Sequence, residues 1–126
     1  MIQVTKIGTR LVLRSDAPAG APSVMFEDDG DTGYFYAVEP RGEAMEMLDA
    51  LHVYNAEADL RGVDCRLELL WSADARKAGL RINGALWAVF DFDTESGRCR
   101  SNYPPPAGRW QAPGRPAWDD SLIQSF

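Results

Sequence analysis

The dipeptide Asn83-Gly84 lies between two runs, KAGLRI and ALWAVFDF, whose apolar residues alternate. A two-residue hairpin loop of type I′ needs φ > 0 at both central positions, and Asn-Gly adopts this with little strain. This turn commits its flanks to an antiparallel pair and constrains the fold more than any other feature of the chain. Upstream, CRLELLW also alternates, and downstream the turn TESG leads into RCRS. Residues 65–101 therefore read as a four-stranded antiparallel meander.

The turns assign a register. A two-residue Asn83-Gly84 loop sets Ile82 opposite Ala85, Leu80 opposite Trp87, Ala78 opposite Val89 and Arg76 opposite Asp91. A four-residue SADA loop sets Trp71 opposite Arg76 and Cys65 opposite Ile82. A four-residue TESG loop sets Asp91 opposite Arg100 and Phe92 opposite Cys99. One apolar face results: Cys65, Leu67, Leu69, Ala78, Leu80, Ile82, Ala85, Trp87 and Val89. The reverse face carries Leu86, Ala88, Phe90 and Phe92, which call for a cover from the N-terminal strands or from the proline-rich arm with Trp110 and Trp118. The two cysteines fall on opposite faces and opposite ends, beyond the ~7 Å Cα reach of a disulfide. Two free thiols are expected.

A second hairpin is expected in FEDDGDTGYFYA, with Asp29-Gly30 as its turn. That register pairs Asp28 with Asp31, Phe26 with Gly33 and Val24 with Phe35, and places Val24, Phe26, Phe35 and Ala37 on one face. In Glu43–Tyr54, Ala44, Met47, Leu48 and Leu51 recur at i, i+3, i+4, i+7. This spacing predicts an amphipathic helix, with Glu43 and Glu46 favoured by the dipole of its first turn. The tail WDDSLIQSF predicts one helical turn capped by Asp119 or Asp120 and docked by Leu122, Ile123 and Phe126. The expected fold is α+β: a twisted antiparallel meander of about six strands with one main helix packed on a face.

With 126 residues the chain has the length of a single domain, 1–126. Its net charge of −6 argues against nucleic acid, because such binding neutralises phosphates with basic residues. No apolar run approaches the ~20 residues of a membrane span. The start, MIQVTKIGTR, lacks a basic segment followed by an apolar one, so a cytoplasmic location is expected. One histidine, His52, and two cysteines cannot supply a Cys/His zinc set. No phosphate loop or G-x-S-x-G nucleophile motif is present, and no metal or cofactor is predicted.

Two places could carry function. The acidic hairpin tip, with Asp28, Asp29, Asp31 and the adjacent Tyr34, is a candidate partner surface or, if its carboxylates converge, a cation site. Its plainer reading is a tight turn. The register also aligns Trp71, Arg76, Asp91 and Arg100 in one row, a candidate floor for an anionic ligand. Its plainer reading is a charged rim. His52 has no catalytic partner in view and reads as a hydrogen-bonded, half-buried residue.

The strings FEDDGDTGYFYA, LLWSADARKAGLRINGALWAVFDF, CRSNYPPP and WDDSL together resemble domain-of-unknown-function family 2251, a family of small, mostly bacterial proteins. The resemblance spans about residues 24–122 and implies no activity or site. Three functions are therefore weighed. The first is a non-enzymatic protein-interaction module, for instance of the immunity type, meeting a protein partner. The second is a small anionic-ligand-binding domain. The third is a carboxylate- or metal-dependent enzyme using the acidic hairpin. The first is preferred because no catalytic set is recognisable.

Overall fold

The computed structural model describes residues 1–101, 103, 110 and 117–126. Its strands are β1 (Ile2–Lys6), β2 (Leu11–Asp16), β3 (Ser23–Asp28), β4 (Thr32–Arg41), β5 (Ala44–Asn55), β6 (Asp64–Trp71), β7 (Lys77–Ile82), β8 (Ala85–Asp91) and β9 (Ser96–Cys99). They form two antiparallel sheets, β1-β6-β7-β8-β9 and β2-β3-β4-β5. Both contribute to one apolar core, where Phe35 of the second sheet meets Phe90 of the first at 4.8 Å between ring centroids. The only helical element among the described residues is a 3-10 turn, Asp120–Ser125.

The expected α+β fold with a main helix over 43–54 is therefore incorrect: this segment is strand β5, and a second sheet covers the face assigned to the helix. The reason lies in two bulges. Against β4, Leu48 is an extra residue between the pairs Ala37–Asp49 and Val38–Met47, and Val53 between Gly33–Tyr54 and Tyr34–His52. Each bulge reverses the period-2 alternation. Core contacts then recur at Leu48, Leu51, Val53 and Tyr54, and the spacing of three imitates a helical turn. The strand begins at a two-residue loop, Gly42-Glu43, between the paired Arg41 and Ala44, with Gly42 at φ 60°.

The acidic hairpin forms with a wider loop than expected. Asp28 opposes Gly33, Phe26 opposes Phe35 and Val24 opposes Ala37. The Asp29 carboxylate accepts from the N–H groups of Asp31 and Thr32 at 2.9 and 2.8 Å, so the acidic residues build the turn themselves. The slip is an even number of residues, which leaves every side chain on its face. Val24, Phe26, Phe35 and Ala37 are accordingly all buried together.

In the meander, Ile82 opposes Ala85 around Asn83-Gly84 as expected. Beyond it the register departs. Trp87 is bulged, so Leu80 opposes Ala88 and Ala78 opposes Phe90. This odd shift sends Ala88 and Phe90 into the core and turns Val89 to the reverse face. The other two loops slip by even numbers: Trp71 opposes Ala78 rather than Arg76, and Asp91 opposes Ser96 rather than Arg100. Neither cysteine is in a disulfide, and Cys65 lies in the core. Cys99 packs at its margin opposite Ala88, on the core side rather than the reverse face. The C-terminal turn is capped by the Asp119 carboxylate, which accepts from Ser121 N–H at 2.9 Å. Phe126 packs over Gly79 on the reverse face, whereas Ile123 remains exposed.

Candidate interaction face

The sheet β2-β3-β4-β5 buries one face in the core, and its other face is exposed at Val12, Arg14, Met45 and Met47 and half-buried or buried between them. Cross-strand pairing brings Val12, Glu27, Tyr34 and His52 into one row of the outer face. Arg14, Met25, Tyr36 and Ala50 form the next, followed by the pairs Val38–Met47 and Pro40–Met45. Val12, Met25, Val38, Met45 and Met47 line a shallow groove of about 260 Å³ with Glu27 and Tyr36. Val12 is 56% exposed, Met47 45% and Met45 37%. Isolated exposed apolar residues need no explanation, but a contiguous patch with a polar rim does.

The groove has one ordered polar centre. Tyr36 donates its hydroxyl to Glu27 Oε1 at 2.9 Å, and Tyr34 stacks on Tyr36 with ring centroids 5.8 Å apart. Burial, then the hydrogen bond to Glu27, hold the Tyr36 phenol above its usual range. The neighbouring arginine, Arg14, is engaged by Asp16 at 2.7 Å. At the other end of the row, His52 Nε2 meets Asn55 Oδ1 at 2.7 Å and its ring stacks on Tyr103 at 4.3 Å. Thus His52 is hydrogen-bonded and half-buried as expected, although on a strand and not on a helix face.

Of the four residues named for a partner surface, Tyr34 lies within this face. Asp29 and Asp31 lie at the hairpin tip beside it, with Asp31 exposed and 3.2 Å from Arg61. Asp28 is 1% exposed and lies inside. Its Oδ2 accepts from Gly8 N–H at 2.8 Å and Tyr54 hydroxyl at 2.6 Å, and its Oδ1 from Gly30 N–H at 2.8 Å. The tip carboxylates are thereby committed to backbone and side-chain donors, and no cluster able to hold a metal occurs among the described residues.

The row Trp71, Arg76, Asp91 and Arg100 is not assembled. Trp71 faces inward, donating to Ser15 Oγ at 3.0 Å and stacking on Phe92. Arg76 pairs with Asp93 at 2.5 Å, and Asp91 Oδ1 caps the N–H groups of Asp93 and Thr94. Arg100 lies 4.7 Å from the ring centre of Trp118. The bulge at Trp87 and the two even slips account for this dispersal. The Met-Tyr groove went unrecognised in the sequence because Met45 and Met47 belonged to the expected helix. The alternation M-E-M after a Gly-X hairpin loop was the available signal.

Three groups around Asp28 and Glu27 make stability depend on alkaline pH. Burial, then the Asp28 charge, pushes the Cys65 thiol up to about 11 from 9.0. Burial and the bond to Asp28 likewise raise Tyr54 above 10.0, as Glu27 does for Tyr36. Each neutral form is favoured in the folded state, so the stabilisation is complete below the unfolded values and lost as pH rises through the folded ones. Urea midpoints are expected to hold steady up to about pH 9 and fall steeply from there to pH 11. Tyr54→Phe should shallow that slope; a wild-type midpoint unchanged across the interval would contradict the assignment.

No helix among the described residues is long and apolar enough to cross a membrane. A family model described as "Uncharacterized protein conserved in bacteria (DUF2251)" matches residues 5–126. An uncharacterized protein of Haemophilus influenzae is 46% identical over 85 residues, which cover 67% of this chain and 53% of the relative. The chain thus spans about half the length of that curated relative. No solved structure matches.

Proposed function

The chain belongs to domain-of-unknown-function family 2251, a family of uncharacterised proteins conserved in bacteria, and we propose that it works as a non-enzymatic protein-interaction module. Its outer β2–β5 face receives a basic, apolar segment of a partner protein. The observation that carries this reading is the exposed Val12/Met45/Met47 groove with the Glu27 carboxylate set into it. Methionines suit such a surface because their unbranched side chains re-pack around an incoming partner. Charge complementarity argues for a basic segment. The chain carries −6, Asp29 acts electrostatically on Tyr36 from the hairpin tip, and Arg14 is already paired. An immunity-type role is one form this binding could take. The anionic-ligand reading receives less support, since its four residues lie apart.

The test compares wild type with Met45→Asp/Met47→Asp, both at exposed positions, against an extract of a bacterium encoding the chain. A partner should be retained by wild type and lost at least tenfold by the variant. A synthetic peptide of its bound segment should bind, and the same peptide with Lys and Arg replaced by Glu should not. Identical retention by the two proteins would overturn the reading. So would a concentration-dependent dimer abolished by the variant, because a second copy would then cover the face.

A further inference from the structure

At the end of the two-sheet core distant from the acidic hairpin, a cleft of about 250 Å³ opens between the sheets. Pro22, Leu48, Phe92 and Trp110 form its apolar wall, and Glu39 of β4 and Glu95 of the β8–β9 loop bring carboxylates to it. No lysine or arginine among the described residues lines it. The aromatic wall is built rather than incidental. Trp110 donates its backbone N–H to Leu48 O at 3.0 Å, and its ring stands edge-on to Phe92 at 5.3 Å and Phe90 at 6.1 Å. Phe92 is in turn stacked on Trp71 at 5.8 Å, which is anchored to Ser15.

Among the described residues, the charged groups of the lining are all carboxylates. Neither the half-buried Glu39 nor the exposed Glu95 has a hydrogen-bond or ion-pair partner among the described residues, and both line the cleft beside its aromatic wall. A carboxylate in such a setting gains most from a cation with donors to give, and indole and phenyl rings attract the same cation through their negative faces. An anion would meet two like charges, and a purely apolar ligand would leave both carboxylates unanswered. The volume is below the ~300–1,000 Å³ of drug-sized sites, which selects a compact molecule.

We propose that this cleft binds a small organic cation, an alkylammonium or guanidinium compound, with Glu39 and Glu95 as its charge partners and Phe92 and Trp110 as its aromatic wall. The site is independent of the outer β2–β5 face and stands or falls separately from the interaction reading. The probes are putrescine and agmatine, with 1-butanol as the uncharged control, titrated into the full chain by calorimetry and by tryptophan fluorescence. Saturable binding of at least one cation, absent for butanol, is expected, with a fluorescence change from Trp110. Glu39→Gln/Glu95→Gln keeps the shape of both side chains and should weaken binding at least tenfold while the far-ultraviolet dichroism stays unchanged. Met45→Asp/Met47→Asp should leave it untouched, which separates the two sites. No saturable binding at millimolar concentration would overturn the proposal. Binding that survives the double Gln variant, or that an equal ionic strength of sodium chloride removes, would do so too.

Discussion

Asp28→Ala is expected to cost roughly 3–6 kcal/mol. Three donors converge on the carboxylate, from the turn after β1, the β3–β4 turn and β5. Hydrogen bonds to a charged group contribute about 1.5–3 kcal/mol each, and a buried donor left unpaired costs about 1–3 kcal/mol. Loss of the carboxylate also frees the Tyr54 ring, which lies so close over Gly33 that a Cβ there would sit 2.7 Å from it. Against a total stability of order 5–15 kcal/mol, the variant should lie near the edge of folding. Its melting temperature should fall by roughly 10–20 °C. Asp28→Asn retains one acceptor oxygen and should lose about half as much. Tyr54→Phe, which deletes one donor and no volume, should lose about 1–2 kcal/mol. Urea unfolding orders the series; an Asp28→Ala protein within 1 kcal/mol of wild type would return Asp28 to the list of surface groups free to meet a partner.

Phe90→Ala should destabilise by about 3–5 kcal/mol, and Val89→Ala by roughly half of that or less. Both residues are buried, but on different faces. Phe90 is wholly enclosed between the sheets, against Phe35 at 4.8 Å and close to Gly97. Val89 lies on the reverse face, beside Leu122 of the C-terminal turn. A chain trimmed before residue 117 should therefore lower the cost of Val89→Ala, since its cover is gone, and leave the cost of Phe90→Ala unchanged. The unbulged register assigns Val89 to the main core face instead. If Val89→Ala proved the costlier substitution, the bulge at Trp87 would be refuted.

The two hairpin turns were legible because their causes are local. Asn83-Gly84 takes up φ 52° and 85°, and the Asp29 carboxylate binds backbone two and three residues ahead. The shared burial of Val24, Phe26, Phe35 and Ala37 was legible for a different reason. A two-residue error in loop length does not change which side of a strand a residue faces. The row Trp71, Arg76, Asp91 and Arg100 had no such protection. It required three loops to be right to the residue, and the Trp87 bulge and the displaced loops separate its members. Of the four residues expected at a partner surface, the outward position of Tyr34 was legible from the alternation of β4, whereas the inward turn of Asp28 depends on Gly8 and Tyr54, far away in sequence.

The sequence by itself determined that this chain makes antiparallel hairpins, where most of them turn, and which apolar residues of β3, β4, β6 and β7 are buried. Those outcomes follow from φ preferences and period-2 alternation, which act over a few residues. Only the tertiary structure decided that 44–55 is a strand and that a second sheet, not a helix, closes the core. A segment with apolar residues three apart can satisfy either a helix or a twice-bulged strand. What selects the strand is the row of donors and acceptors offered by β4, a partner that exists only once the chain has folded.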